Sequence, residues 1–380
     1  MQENKREIRI GLIGYGFMGK THAYAVQTLP FFFEGLPFTA KITGVATRSM
    51  EKSLRVASEL GIPNAFDNAK DLIASDVDVI DVCTPNVCHE SEVKAALLAG
   101  KHVYCEKPLA DTLRAATEMS ALANKSGKIC TVVFNNHHLA AVTRAKQLID
   151  EGRIGDILCF DFSYLHNSCA DPGRVAGWKQ TADVCGEGGV LFDLGSHVLD
   201  LLVYLCGPVE SVVGRSQIAF PERRGMDGSP WHTDAPEAFY MLLKTKNGAQ
   251  GTLTASKLAV GTNDDLSFTI RGTKGALTFS LMDPNFLGFY DATAKQTPYG
   301  GNAGFTRIEC VGRYPAPAGA FPSPKAPDGW LRGHVMSMYH FLNAVYTETQ
   351  NAPSFADALY VQQIMDAALR SAKSGEEVRV

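Results

Sequence analysis

Residues 8–19 read Ile8-Arg9-Ile10-Gly11-Leu12-Ile13-Gly14-Tyr15-Gly16-Phe17-Met18-Gly19, and this stretch decides the fold of the N-terminal part. Ile8 to Ile13 is a short apolar strand pattern. It runs directly into G-x-G-x-x-G, and a helical pattern follows through Leu29. A strand before and a helix after is the context in which this glycine spacing binds a dinucleotide. Gly14 makes the tight turn, Gly16 lets the backbone approach a pyrophosphate, and Gly19 permits close helix–strand packing. The phosphates then sit on the helix N-terminus, beside Phe17 and Met18, where unpaired N–H groups and the helix dipole favour anions. In isolation such a loop is often only a tight βα turn, so the surroundings have to carry the argument.

Moving outward, apolar strand patterns recur at Lys41–Ala46, Val77–Cys83, His102–Cys105 and Ile129–Phe134. Amphipathic helical stretches separate them at Met50–Leu60, Ala69–Ala74, Glu90–Ala99 and Thr112–Lys125. Strand–helix alternation implies a parallel sheet covered on both faces. Ligands of such sheets bind beyond the carboxyl ends of the strands. Thr84-Pro85-Asn86, with His89 just beyond, Glu106-Lys107-Pro108 and Asn135 stand at such ends and are the expected cofactor side. The second strand ends Thr47-Arg48-Ser49. NAD sites usually place an acid there for the ribose 2′-hydroxyl, whereas a cation and a hydroxyl suit a 2′-phosphate. The expected cofactor is therefore NADP or NAD, with NADP favoured. Pro108 has no N–H and restricts Lys107 to extended conformations, which fixes the direction in which this lysine leaves the sheet edge. An ammonium there could hydrogen-bond a substrate hydroxyl and favour a developing alkoxide.

After about Asn135 the pattern changes. A helix is expected over Ala140–Glu151 and a strand over Ile157–Tyr164. A helix over Gly186–Cys206 is followed by strand-like runs at Val209–Ala219, Ala238–Thr245, Gln250–Ser256, Leu266–Arg271 and Ala276–Phe279. Lys246-Asn247-Gly248 and Gly272-Thr273-Lys274-Gly275 are hairpin signals. The fold class that results is an α/β dinucleotide-binding domain over 1–135 and an α+β domain over 136–380. The second has a large open, mostly antiparallel sheet, and its last helix is placed to return to the first domain. The free sheet face suits a second subunit. Arg313–Trp330, rich in Pro, Ala and Gly, reads as a long loop or arm.

Within the second half, Gly186–Asp200 reads G-E-G-G-V-L-F-D-L-G-S-H-V-L-D. Asp193 and His197 are four residues apart and share one face of a helix, with Asp200 on roughly the same face. An acid and an imidazole beside a glycine loop form a set that can handle protons. His138, His166 and Trp178 are candidate substrate contacts, with Lys179 and Asp183 near the same loop. Trp231-His232 falls in a Gly/Pro-rich connection and reads equally well as surface.

The composition supports a globular enzyme. The chain has 380 residues, 45% hydrophobic and 20% charged, which suits one very large or two ordinary soluble domains. A net charge of −4 gives no reason to expect nucleic acid or an anionic membrane as partner. No apolar run approaches a membrane span, and the N-terminal residues lack a signal-peptide core. Nine cysteines show no C-x-x-C pairs or zinc-type spacing. Buried reduced thiols in a cytoplasmic protein are expected, including Cys83, Cys105, Cys130 and Cys159 in apolar strand patterns.

Taken together, Gly14–Gly19, T-P-N-x-x-H at Thr84–His89, A-G-K-H-V-Y-C-E-K-P-L-A at Ala99–Ala110, G-G-x-x-x-D-x-G-x-H-x-x-D at Gly188–Asp200 and G-T-K-G-A-L at Gly272–Leu277 resemble the Gfo/Idh/MocA (glucose–fructose oxidoreductase/inositol dehydrogenase) family over nearly the whole chain. The resemblance implies a nicotinamide-dependent dehydrogenase of sugars, cyclitols or their derivatives. It implies an N-terminal Rossmann domain and a C-terminal domain whose sheet makes a homodimer or homotetramer. It assigns Lys107, Asp193 and His197 as the catalytic set and a Lys107–Pro108 peptide that is often cis. Asn135-Asn136-His137-His138 departs from the basic N-R-R type segment of relatives, which leaves the charge of the substrate open.

The expected reaction is reversible oxidation of a secondary alcohol to a ketone, without a metal. His197 acts as general base, since an imidazole titrates near neutral pH. Lys107 lowers the hydroxyl pKa, and Asp193 orients substrate or imidazole. Two rivals remain: a tightly held cofactor that cycles internally, and a non-catalytic NAD(P)-binding regulator. The regulator has no need of a proton-transfer set. Which sugar and which carbon react is not legible at this level.

Overall fold

A computed structural model of the chain describes residues 5–295, 297–301, 303–314 and 320–380. The first part alternates β1 (Arg6–Ile13), α1 (Phe17–Phe32), β2 (Phe38–Ala46), α2 (Met50–Leu60), β3 (Asn64–Phe66), α3 (Ala69–Ala74), β4 (Val79–Val82), α4 (Asn86–Leu98), β5 (His102–Cys105), α5 (Leu113–Ser126) and β6 (Cys130–Val132). All six strands pair in parallel, in the order β3-β2-β1-β4-β5-β6. The order reverses between β1 and β4, which is where doubly wound sheets bind dinucleotides. Local chemistry sets the helix ends. Ser49, Asn68 and Thr112 cap α2, α3 and α5 by accepting from the backbone N–H three residues on, and Gly61 and Gly127 close α2 and α5 in left-handed conformations. α4 starts at Asn86, not at Glu90 as expected, and Pro85 stands at its N-cap in an extended conformation.

The later part runs α6 (Ala140–Asp150), β7 (Ile157–His166), α7 (Ala182–Cys185), α8 (Ser196–Cys206), β8 (Val209–Gln217), β9 (Glu222–Arg224), β10 (Pro230–His232), β11 (Ala238–Thr245), β12 (Gln250–Ser256), β13 (Asp264–Gly272), β14 (Gly275–Ser280), β15 (Phe286–Asp291) and β16 (Thr306–Glu309), then α9 (Trp330–Thr347), α10 (Phe355–Ser374) and β17 (Val378–Arg379). Among the described residues, nine strands form one sheet, β16-β15-β14-β13-β7-β12-β11-β8-β17, antiparallel except for β7–β12. The strands alternate as a half-covered sheet requires. Phe160, Phe162, Phe239, Met241, Leu243 and Leu253 are buried, while Leu158, Asp161, Tyr240 and Leu242 face outward. Cys159 is exposed, contrary to the expectation of a buried thiol; six other cysteines are buried and Cys83 and Cys88 half-buried. Trp231-His232 is also corrected, from a loop to one strand of the two-stranded β9–β10 hairpin.

Two compact units result. One contains residues 5–135, 320–322 and 331–360, the other 136–314, 323–330 and 361–380. A single division at 135/136 therefore misplaces α9, and the helix that joins the first unit is α9 and the start of α10, not the end of α10. Aromatic packing explains it. Tyr339 stacks on Phe33 at 3.8 Å between ring centroids, Phe341 packs on Tyr104, and Ser337 shares a 2.7 Å hydrogen bond with the Tyr104 hydroxyl. The Gln350 amide then pairs with both backbone groups of Cys130, which covers the edge strand β6. Of the Pro-rich stretch 313–330, residues 315–319 lie outside the described residues.

Candidate active site

The glycine loop has the geometry its sequence demands. Gly14 has φ +90°, and a Cβ there would meet the Cys83 carbonyl oxygen at 2.6 Å. A Cβ on Gly19 would meet the Gly14 carbonyl oxygen at 2.2 Å. Gly16 has open space around it, and Phe17 at the first turn of α1 is exposed. This cradle fits a dinucleotide phosphate: two glycines are needed for the turn itself, and the third leaves the approach open. At the end of β2 the polar groups have other tasks. The Thr47 hydroxyl donates to the Ser49 carbonyl at 2.9 Å and sits 2.9 Å from the Ser53 hydroxyl, and the Ser49 hydroxyl caps α2. Thr47 and Ser49 therefore shape the turn; Arg48 and Ser49 are both exposed, and the Ser49 hydroxyl is engaged as the cap of α2.

The lysine turn is braced from two helices. Lys107–Pro108 is a cis peptide. The Lys107 N–H donates to Glu106 Oε2 at 3.2 Å, and Glu106 Oε1 lies 3.1 Å from His22 Nε2 of α1. His89 of α4, wholly buried, has Nδ1 3.0 Å from the Pro108 carbonyl and Nε2 3.0 Å from the Thr84 carbonyl. His89 and Glu106 were expected on the cofactor; their buried side chains instead hold the turn that carries Lys107. Burial pushes the Glu106 carboxyl up, but the His22 contact, with Lys107 beside it, outweighs this and holds it at about 2. The Thr84 hydroxyl donates to Glu92 at 2.5 Å, and burial pushes the Glu92 carboxyl to about 7 despite that bond. Pro85 and Met18 are half-buried, Asn86 opens α4, and Asn135 is buried at the head of a 3₁₀ turn that ends at half-buried His138.

In the other unit, the expected helix over Gly186–Cys206 is only partly regular. Gly188 and Gly189 form a turn; a Cβ on Gly188 would meet the Phe192 ring at 2.3 Å, and Gly189 has φ +49°. Leu191–Gly195 is a π-helical turn, and α8 follows. Asp193 lies in the π turn and His197 in the first turn of α8. Such turns recur at functional sites. The Asp193 carboxylate is paired with two lysines: Lys179 Nζ lies 2.9 and 2.8 Å from its two oxygens, and Lys257 Nζ lies 2.9 Å from Oδ2. Lys257 is buried; burial pulls its ammonium down, and Asp193 overrides this and raises it. His197 is nearly buried, with its Nδ1 fully enclosed and its ring edge-on to Tyr164 at 5.9 Å. Tyr164 in turn meets His166, whose Nε2 is 2.8 Å from Asp264. Asp200 pairs with His137 at 3.1 Å. Trp178, partly exposed, lies under the Lys179 ammonium.

The geometry thus gathers Asp193, His197, His166, Trp178 and Lys179 in one unit, and the glycine loop with the Lys107 turn in the other. Lys257, His22 and Asp81 were missed by sequence reasoning. Lys257 follows an apolar strand and looks like a surface residue. His22 lies three residues after Gly19 on a helix, and a titratable group so close to a phosphate loop was the available signal. Among the described residues, His22, Asp81 and Cys83 bring their donor atoms within 4.8 Å of one another.

Comparison with known proteins agrees with this organisation. The Gfo/Idh/MocA model described as an oxidoreductase family with an NAD-binding Rossmann fold matches residues 8–134, and the GFO/IDH/MocA C-terminal domain matches residues 142–278. Levoglucosan dehydrogenase of Pseudarthrobacter phenanthrenivorans is 31% identical over 381 residues, 97% of this chain and 96% of that protein. Glucose-6-phosphate 3-dehydrogenase of Bacillus subtilis is 25% identical, covering 94% of each. A solved structure of levoglucosan dehydrogenase with NADH and levoglucosan superposes with a TM-score of 0.93 at 31% identity, over 99% of this chain and 100% of that one. Matching family models for both parts, and a relative of this identity along the full length, establish that the chain belongs to the Gfo/Idh/MocA family of NAD-binding oxidoreductases.

Proposed function

We infer that the protein is a nicotinamide-dependent dehydrogenase that oxidises a secondary alcohol of a sugar or sugar derivative to a ketone, reversibly. The observation that carries the reading is the Asp193–His197 pair on its π turn, in a family member with an intact glycine cradle and lysine turn. Relatives that bind NADH with a sugar support it. The nicotinamide, when bound, takes the hydride from the carbinol carbon. His197 accepts the hydroxyl proton; Nε2 is the nitrogen for this role, because Nδ1 is enclosed. The Lys107 ammonium is assigned to hydrogen-bond a substrate hydroxyl and favour the charge that develops on its oxygen. Asp193, held between Lys179 and Lys257, fixes the start of α8 and presents a carboxylate of set direction to the sugar hydroxyls. His138, His166 and Trp178 complete the substrate contacts.

NADP is the proposed preference over NAD, supported by Arg48 at the end of β2 and the absence of an acid at residues 47–49. The outward face of the nine-stranded sheet, with Leu158, Tyr240 and Leu242 exposed, supports assembly of a homodimer or homotetramer through that face. Nine free thiols suit the reducing cytoplasm, and among the described residues no helix is long and apolar enough to cross a membrane. The test is a panel of sugars, sugar phosphates, anhydrosugars, glycosides and cyclitols with NAD and with NADP, read by cofactor absorbance and product analysis. Reduced cofactor and a keto-sugar in equal amounts are expected. Product without released reduced cofactor means an internal cycle instead, and no turnover of any member defeats the reading.

A further inference from the structure

The strand β4 reads Val79-Ile80-Asp81-Val82 and all four residues are buried. A carboxylate inside a central parallel strand is costly unless something compensates it. His22 of α1 does so: its Nδ1 is 2.9 Å from Asp81 Oδ1, and its Nε2 is 3.1 Å from Glu106 Oε1 at the end of β5. His22 and Asp81 are each 1% exposed and Glu106 6%. A neutral imidazole has one donor and one acceptor nitrogen, whereas ionised carboxylates only accept. One ring between two carboxylates is satisfied at both ends only when both nitrogens carry hydrogen. We propose that His22 is a buried imidazolium that positions the lysine turn, gripping Asp81 with one N–H and Glu106 with the other, so that Glu106 can hold the Lys107 backbone. This role rests on the dehydrogenase reading above, since it acts through Lys107.

The groups around the ring agree. From β4 and its end come Asp81 and Cys83; from β5 and its end, Tyr104 and Glu106; from α9, His334. Burial alone would depress the His22 pKa, but Asp81 overrides it and the ring is held well above its usual range. Burial also drives the Cys83 thiol up, so it keeps its hydrogen, 3.5 Å from Asp81 Oδ1. Tyr104 is likewise pushed up by burial and stays neutral. His334, its ring centroid 6.1 Å from that of His22, is pushed down to about 3 by burial and by the charge on His22. The ring is therefore a cation between two carboxylates, with Cys83, Tyr104 and His334 neutral around it and the Lys107 ammonium adding to the field on Glu106 and His334. His22 Nδ1, Asp81 Oδ1 and Cys83 Sγ could also be read as metal ligands with Glu106 behind the imidazole. Their separations of 2.9 to 3.5 Å are ordinary hydrogen-bond distances, and a proton accounts for them.

The first test is nitrogen NMR of the imidazoles in the full-length protein labelled at histidine, with His22 assigned by its loss in His22→Gln. Both ring nitrogens of His22 are expected to stay protonated at about pH 8, where a free imidazole is neutral. A neutral tautomer there overturns the proposal. So does about one equivalent of zinc per chain in the purified protein. The second test is kinetic. His22→Gln and Glu106→Gln should each lower kcat by about 10- to 100-fold through misplacement of Lys107, with cofactor affinity changed only a few-fold. The double variant should lose no more than the worse single variant; additive losses overturn the chain from His22 through Glu106. If His22→Gln does not fold, Glu106→Gln supplies the assignment, because the resonance it moves most is that of the clasped ring, and the titration decides alone. A wild-type protein inactive on every sugar sinks the dehydrogenase reading but leaves the imidazole spectrum to decide the clasp.

Discussion

The two units hold charge centres of opposite construction. In the first, one imidazole lies between two carboxylates, sealed from water at 1% exposure. In the second, one carboxylate lies between two ammonium groups, and one of these, Lys179, reaches solvent. A sealed centre can only hold its neighbours in place, because nothing reaches it. A centre open on one side can meet a substrate. Two charge triads of opposite sign are thus built into one chain, one closed off inside its unit and the other open to solvent on the Lys179 side.

The sharpest way to break this comparison is His197→Ala, next to the open centre. Under the proposed role it should lower kcat by roughly two to four orders of magnitude, leave cofactor affinity nearly unchanged, and exceed the effect of any change at the sealed centre. Stopped-flow and steady-state rates decide; a variant with near wild-type turnover removes His197 from the reaction. Next comes Asp193→Asn, which strips the buried Lys257 of its partner and should cost about 3 kcal/mol in denaturant unfolding. Lys179→Ala, at a half-exposed position, should cost under about 1 kcal/mol and act on KM instead. Equal stability losses would mean that the two lysines are not divided as burial suggests. A fourth variant concerns Glu92, whose carboxyl is raised to about 7 in the fold. An acid raised in the folded state contributes stability that is complete below its unfolded value and fades as pH rises through about 7. The wild type should therefore lose on the order of 2 kcal/mol between mildly acidic and alkaline pH, and Glu92→Gln should flatten that loss. An unchanged profile in the variant would place the loss elsewhere. The last effect is confined to one cofactor: Arg48→Ala should cut kcat/KM for NADP about tenfold, or about 1.4 kcal/mol, and leave NAD alone. Equal effects on both cofactors would defeat the 2′-phosphate role.

The sequence carried local demands well and distant pairings poorly. Gly14 and Gly19 were legible because a Cβ at either would strike backbone, a constraint that belongs to the loop itself. Asp193 and His197 were legible as residue types at helical spacing, although the π turn beneath them was not, since nothing in L-F-D-L-G marks a change of hydrogen-bond step. His22 could not be matched to Asp81 and Glu106, 59 and 84 residues away, until the strand order β1-β4-β5 brought them together. Lys257 gave no sign of burial because its partner lies on another element. The brief strands β3 and β17 escaped notice because pairing with a neighbour, not their own composition, makes them strands. The placement of α9 depended on aromatic contacts with Phe33 and Tyr104 that no periodicity contains.

The π turn at Leu191–Gly195 acts on the whole of α8 as an inserted step of phase. A regular helix advances about 100° per residue, so restoring a purely α-helical step there would rotate everything downstream by roughly that angle. The apolar side of α8 would leave the sheet, and His197 would turn away from Tyr164. Gly195 already sits tightly in this turn, where a Cβ would come within 2.8 Å of Leu191. Helix packing and the aim of the histidine are therefore set by one and the same residue step, and neither can be adjusted without the other.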